Sequence, residues 1–231
     1  WDLDTLIANC EETGFKAVEL RSTHKHGVEI SLSPARRAEV KQRFTETPVK
    51  LICLGSTCEF HSPDPNVVRA RIDEAKEFIK LAAEVGSTAI KVRPNGVPDE
   101  VPKEQTFEQI GRSLRELGIF GREHNVEIWM EVHGPESSHP PYIAEMMKYC
   151  GHPSVGLTWN CNDSDLQDGD VMPYFNLLKD HIRNVHMRDL TVDYPFRQVF
   201  SLLRGIGYSG YTLSEIPEVE GDPIRFMKYY R

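Results

Sequence analysis

A unit made of a helix, a short turn and a short apolar strand recurs along the whole chain, and it constrains the fold more than any other feature. A helix predicted over residues 3–13 comes first, and each strand that follows ends in polar residues. Regular alternation of helices and strands predicts parallel strands joined by crossover helices, which is an α/β fold. Seven strands are predicted, at residues 17–20, 50–54, 89–92, 126–132, 155–159, 182–187 and 211–215.

The clearest unit is the helix that precedes Gly86. Asp64 followed by Pro65 is a typical helix start, and Gly86 is a typical C-terminal stop. Between them, apolar residues at positions 68, 72, 75, 79 and 82 recur at spacings of three and four, which places them on one helical face. The next helix is predicted to begin at Thr106, with Gln109 three residues later in a capping-box pattern.

Two architectures fit this alternation, the open doubly wound sheet and the closed (β/α)8 TIM barrel. No GxGxxG turn follows the first strand, so a dinucleotide-binding sheet is not favoured. A barrel needs eight strands and typically about 250 residues. We therefore predict that residues 1–231 form a single barrel domain, and that its first strand lies upstream of residue 1 or the barrel closes unusually.

Composition excludes several kinds of partner. With 27 Lys and Arg against 35 Asp and Glu, the formal net charge is −8, which disfavours nucleic acid because binding it needs a basic face. No apolar run approaches the ~18 to 20 residues of a membrane helix. Five cysteines without a CxxC pair indicate reduced thiols, which favours the cytoplasm, although a leader upstream of residue 1 would allow export. The sequence leaves open whether the protein forms a homo-oligomer.

Ionisable residues gather at the C-terminal ends of the predicted strands, where the active site of a barrel lies. Because residues two apart in a strand share a face, Ile128 and Met130 point one way and Glu131 the other. Burying unpaired charge is costly, so four or five strands that aim such groups inward predict a functional site. The inward residues are Glu19 and Arg21, Lys91 and Arg93, Glu131 and His133, and His186 and Arg188. In the last strand, Glu215 shares the register of Tyr211 and Leu213.

Four of the residues near strand ends form a candidate metal site. Glu131, Asn160, His186 and Glu215 are separated by 29, 26 and 29 residues, so each lies about one βα unit after the previous one. Oxygen-rich ligation with one imidazole nitrogen suits one divalent ion, either Mn²⁺, Mg²⁺, Co²⁺ or Zn²⁺.

The segments VEIWMEVHG, VGLTWNCND, IRNVHMRDL and GYTLSEI resemble the last four strands of the xylose-isomerase-like TIM barrels, and GFKAVELR resembles the second strand. More closely, the chain resembles the sugar phosphate isomerase/epimerase family of that superfamily. The resemblance implies a carbohydrate substrate and a metal held by Glu131, Asn160, His186 and Glu215. It further implies that Glu131 and Glu215 are the acid/base pair, acting next to a carbonyl through a metal-stabilised enediolate.

The chain also departs from this family. Asn160 stands where the family commonly has Asp, and Asp163 where a His often follows. We expect the substrate to contact His133 and Arg188. Lys91 and Arg93 either do the same or neutralise glutamates inside the barrel.

Glu19 either contacts substrate or pairs with an Arg.

Three other functions of the protein stay open. They are a lyase that dehydrates a keto-polyol at the same site, a sugar-binding barrel without catalysis, and an apurinic-site endonuclease, which the net charge disfavours.

Overall fold

The computed structural model describes residues 1–218 and 220–231. Over these residues, helices and strands alternate, and no helix is long and apolar enough to cross a membrane. The strands are β1 (Ala17–Arg21), β2 (Lys50–Glu59), β3 (Ala89–Arg93), β4 (Glu127–Glu131), β5 (Val155–Trp159), β6 (Ile182–Met187) and β7 (Thr212–Ser214). The α-helices are α1 (Leu3–Thr13), α2 (Pro34–Thr45), α3 (Pro65–Val85), α4 (Lys103–Glu123), α5 (Pro140–Cys150), α6 (Met172–Leu178), α7 (Phe196–Gly205) and α8 (Pro223–Tyr230).

The strands form one parallel sheet in the order β1-β2-β3-β4-β5-β6-β7, so each strand pairs with the next along the chain. The sheet curves into a nearly closed TIM barrel, and β1 lies near β7 without a ladder between them in the described residues. A groove lined by Val18 and Leu213 separates these two strands. The predicted parallel α/β barrel is confirmed, and the strand expected ahead of Trp1 stays a prediction.

The helix boundaries confirm one sequence interpretation and correct another. In α3, Asp64 accepts a hydrogen bond from the backbone N–H of Asn66, and Gly86 ends the helix with a φ of +83°. Helix α4, in contrast, begins at Lys103 after Pro102, one turn before the predicted start. Proline has no backbone N–H to donate within a helix and is tolerated at a helix start, so the helix begins directly after Pro102. Gln109 is therefore no cap residue, and its amide donates to the carbonyl of Phe60.

Two apolar layers fill the molecule. The larger one lies between the sheet and the helices and contains fully buried strand residues such as Ile90, Ile128 and Val185. The smaller one fills the N-terminal part of the barrel interior and includes Ala89 and Trp129. These two residues precede Lys91 and Glu131 by two positions, so alternation puts a polar layer directly above the apolar one. The position of the smaller apolar layer therefore determines the level in the barrel at which the charged side chains lie.

Candidate metal centre

The structure brings the four predicted metal-site residues together at the C-terminal end of the barrel. Glu131 is the last residue of β4, Asn160 follows β5, His186 lies near the end of β6, and Glu215 follows β7. Single ligand atoms of Glu131, His186 and Glu215 lie within 4.8 Å of one another. Asn160 joins them, because its Oδ1 lies 3.1 Å from Nδ1 of His186. The four side chains therefore lie close together, and their role as metal ligands stays a prediction.

The imidazole of His186 stands at the centre of this group. Its Nδ1 lies 3.2 Å from Oε2 of Glu215 and 3.5 Å from Oε1 of Glu131. Its Nε2 lies 3.1 Å from Oε2 of Glu19 on β1. One edge of the ring therefore faces the oxygens of the predicted ligands, and the opposite edge faces a carboxylate that is not among them.

Lys91 lies inside the barrel between two carboxylates. Its Nζ is 2.8 Å from Oε2 of Glu131 and 3.3 Å from Oε1 of Glu19, and only 5% of its side chain is exposed. Of the two roles expected for Lys91, neutralising glutamates is the one that these contacts match. Glu19 has Lys91 and His186 as its ionic partners among the described residues. Of its two expected roles, the pairing with an arginine is therefore wrong, and contact with substrate stays a prediction.

Burial and charge together determine which of these groups are ionised. Burial opposes the charge of Glu19, but the positive charges of His186 and Lys91 outweigh it and lower its pKa to about 2. Burial likewise opposes the charge of Glu131, and the hydrogen bond from His186 with the charge of Lys91 still lowers its pKa. The pKa of His186 and that of Lys91 are raised, since the surrounding carboxylates outweigh burial. The hydrogen bond from His186 lowers the pKa of Glu215.

This donor set fits one divalent metal ion. Glu19, Glu131 and Glu215 contribute three negative charges and Lys91 one positive charge, which leaves two negative charges when His186 is neutral. A metal-ligating histidine must be neutral, so a divalent ion would replace the proton that His186 otherwise holds. Carboxylate and amide oxygens with one imidazole nitrogen suit Mn²⁺, Mg²⁺, Co²⁺ and Zn²⁺ alike.

The predicted substrate residues Arg93 and His133 line a polar cavity at the barrel mouth together with Glu131 and Glu215. Arg93 donates to Oε1 of Glu59 at 2.7 Å, and His133 contacts Oδ1 of Asn95 at 2.9 Å. Glu59 and Asn95 also share a hydrogen bond, so all four side chains form one chain of contacts. Glu59 was missed because β2 was predicted to end at residue 54.

Arg188 occupies a different position. Its guanidinium donates to Oδ1 of Asp163 at 2.9 Å, and it does not line the cavity that contains Arg93 and His133. Asp163 is one of the two residues that depart from the family pattern. A predicted substrate contact, Arg188, is therefore paired with a residue at which the chain departs from the family.

A buried hydrogen-bond network behind Asn160 was not foreseen from the sequence. The hydroxyl of Tyr194 donates to Oδ2 of Asp165 at 3.1 Å and accepts from Nε1 of Trp159 at 3.2 Å. Asp165 also accepts from the backbone N–H of Asn162, and Asn162 donates to the carbonyl of Val132 at the end of β4. This network ties the loop after β5 to two strand ends. Its members are far apart in sequence and follow no periodic pattern.

The sequence matches the family model of the xylose isomerase-like TIM barrel over residues 7–229. The chain belongs to this family. No curated protein sequence matches it significantly.

Solved structures with similar folds have various chemistries. D-psicose 3-epimerase from Clostridium cellulolyticum H10 with D-tagatose aligns with a TM-score of 0.80 at 15% identity, covering 100% of this chain and 85% of that one. The probable 3-DHS dehydratase AsbF from Bacillus anthracis aligns with a TM-score of 0.75 at 13% identity, covering 99% and 92%. The IOLI protein with a bound zinc atom aligns with a TM-score of 0.70 at 16% identity, covering 99% and 88%. At identities this low, these structural matches establish that the fold is shared and nothing more.

Proposed function

We propose that this protein is a divalent-metal-dependent isomerase or epimerase acting on a sugar or sugar phosphate. The observation that carries the proposal is the convergence of Glu131 and Glu215, whose carboxylate oxygens lie 3.5 and 3.2 Å from Nδ1 of His186. Family membership and the fold match to a D-psicose 3-epimerase support it.

The chemistry needs a proton removed from a carbon next to a carbonyl and then returned. A bound divalent ion would stabilise the developing oxygen charge as a Lewis acid. Both glutamates are ionised at neutral pH because their pKa values are lowered, so either is ready to act as a base. The side chain of Glu215 is 39% exposed and that of Glu131 is 3% exposed, so Glu215 is the one that incoming substrate reaches first.

Recognition of the substrate is assigned to the cavity at the barrel mouth. Arg93 and His133 line it beside the two glutamates, which places them where substrate hydroxyls would lie. Arg188, which pairs with Asp163 and does not line this cavity, stays a predicted substrate contact. Lys91 and Glu19 are buried beneath the carboxylates, where they contact other site residues.

The proposal is tested by isotope exchange. Mn²⁺-loaded wild-type protein is expected to incorporate solvent deuterium into a ketose or ketose phosphate from a screened set. The substitutions Glu131→Gln and Glu215→Gln should each abolish exchange, because an amide cannot accept the proton. Glu145→Gln, which changes an exposed carboxylate on α5, serves as the matched control. Undiminished exchange in both site variants would exclude the two glutamates from the reaction.

Dehydration of a keto-polyol is the second candidate, and the fold match to a probable 3-DHS dehydratase supports it. It begins with the same proton abstraction and then expels a hydroxyl group as water. Mass spectrometry of the product separates the two reactions, since only dehydration lowers the product mass by one water. Metal-loaded protein that binds a ketose without exchange or elimination would instead indicate a sugar-binding barrel.

A further inference from the structure

Two buried residues hold the candidate metal ligands in place without belonging to the ligand set. We propose that Glu19 and Lys91 are a positioning pair that sets how His186 and Glu131 face the metal centre. Glu19 acts on His186, and Lys91 acts on Glu131 while also contacting Glu19. This inference rests on the proposed function, because it assumes that the centre takes a divalent ion.

Glu19 determines which nitrogen of His186 is free to bind the ion. A neutral imidazole carries one N–H, and a carboxylate can only accept. When a divalent ion replaces the proton at Nδ1, the one remaining N–H lies at Nε2, where Oε2 of Glu19 accepts it at 3.1 Å. The lone pair of Nδ1 then faces the space that the oxygens of Asn160, Glu215 and Glu131 surround, each 3.1 to 3.5 Å from Nδ1. A carboxylate behind a ligating histidine orients such rings in metalloproteins.

Lys91 determines which oxygen of Glu131 is free to bind the ion. Lys91 takes Oε2 at 2.8 Å, which leaves Oε1 as the oxygen turned toward His186. The side chains of Glu19, Lys91 and His186 are 4–6% exposed, so water does not compete for these contacts. The pair therefore presents one nitrogen and one oxygen to the centre in fixed directions.

Gly55 on β2 makes this arrangement possible. It pairs with Arg21 across the β1–β2 ladder, and a Cβ at this position would lie 2.8 Å from Oε1 of Glu19. Any side chain there would displace the Glu19 carboxylate that contacts both Lys91 and His186. The backbone of β2 thus leaves the space that the pair occupies.

The test measures metal binding and the state of the imidazole rather than turnover. Zn²⁺ is used because it is diamagnetic, with affinity from calorimetry and the Nε2–H of His186 observed by NMR of ¹⁵N-histidine-labelled protein. Glu19→Ala should weaken Zn²⁺ binding by about 10- to 100-fold and remove the slowly exchanging Nε2–H signal. Glu19→Gln keeps an acceptor oxygen, so it should retain the signal and lose less affinity. Glu116→Gln, which changes a carboxylate of α4 paired with Arg69 of α3, should resemble wild type in both measurements.

Lys91→Met provides an independent variant. Without the ammonium, two buried carboxylates lose their counter-charge, so the metal-free protein should melt at a lower temperature than wild type. Removing a positive charge beside the centre would by itself tighten Zn²⁺ binding, whereas freeing Oε2 of Glu131 from Lys91 lets the carboxylate turn away from the ion. The positioning role therefore predicts that Lys91→Met binds Zn²⁺ more weakly than wild type, as measured by calorimetry.

The outcomes separate this inference from the proposed function. Glu19→Ala protein that binds Zn²⁺ as tightly as wild type and keeps the Nε2–H signal would overturn the positioning role alone. Lys91→Met protein that binds Zn²⁺ as tightly as wild type, or more tightly, would overturn the positioning role of Lys91. Wild type that binds Zn²⁺ but catalyses neither deuterium exchange nor elimination would overturn the proposed function alone, and wild type that binds no divalent ion would overturn both.

Discussion

The amide oxygen of Asn160 lies 3.1 Å from Nδ1 of His186, among the candidate metal ligands. An amide oxygen can coordinate a metal, but it carries no formal charge, and the family commonly has Asp at this position. Asn160→Asp adds a negative charge at the centre without changing the size of the side chain. We expect it to tighten Mn²⁺ binding by about tenfold or more, which corresponds to about 1.4 kcal/mol.

Calorimetric titration with Mn²⁺ measures this effect, and Asn176→Asp on the exposed face of α6 is the matched control for one added charge. An Asn160→Asp affinity equal to that of wild type would show that residue 160 does not contact the ion.

Asp165 predicts how stability depends on pH. Burial raises its pKa to about 7, against the hydrogen bonds from the Asn162 N–H and the Tyr194 hydroxyl. Its Oδ1 has no hydrogen-bond partner in the described residues. Because the folded-state pKa is above the unfolded value of 3.8, the folded protein binds the proton more tightly. The stability that protonated Asp165 contributes to the folded state is complete below about pH 4. It is lost as the pH rises to about 7, at up to about 1.4 kcal/mol per pH unit.

Asp165→Asn removes this titration and keeps an oxygen acceptor. Relative to wild type, the variant should gain stability steadily between pH 4 and pH 7, as measured by thermal unfolding at several pH values. Asp73→Asn, which removes an exposed carboxylate on α3, is the matched control for the loss of one aspartate. Parallel pH profiles for Asp165→Asn and wild type would mean that Asp165 is ionised throughout this range.

The fold was largely predictable because alternation and helical periodicity are local signals. The start of α3 at Asp64 and Pro65 and its end at Gly86 depend only on neighbouring residues, and both are confirmed. The start of α4 was misplaced because Thr106 and Gln109 match a cap pattern by chance, while Pro102 sets the true beginning. Local patterns therefore fail where two start signals lie within one turn.

The site was predictable only in part. Strand alternation indicates that Glu131, His186 and Glu215 point inward, and the structure brings them together. It does not indicate that Glu19 contacts His186, since these residues are 167 positions apart and meet only because the sheet curves around. The role of Lys91 was likewise undecided, because alternation gives the direction of a side chain but not its partner.

Gly111 predicts a packing effect at the contact between α4 and α5. A Cβ at residue 111 would lie 2.6 Å from the backbone oxygen of Met146, which cannot move without displacing α5. Gly111→Ala should therefore lower the free energy of unfolding by about 1–3 kcal/mol. Gly205→Ala is the control, because nothing lies within 4 Å of that position and alanine favours helix. Urea unfolding that shows equal effects for the two variants would contradict the packing argument.

Thr158 and Asn184 are register partners on β5 and β6, and both are fully buried. The hydroxyl of Thr158 and both polar atoms of the Asn184 side chain have no hydrogen-bond partner among the described residues. Buried polar groups are normally satisfied, so we expect a high-resolution crystal structure to show an ordered water bonded to both side chains. Thr158→Val alone should cost about 1–3 kcal/mol, since it leaves Asn184 less satisfied. Adding Asn184→Leu removes both polar groups and should recover most of that loss in urea unfolding, whereas additive losses would show that the two side chains share no water.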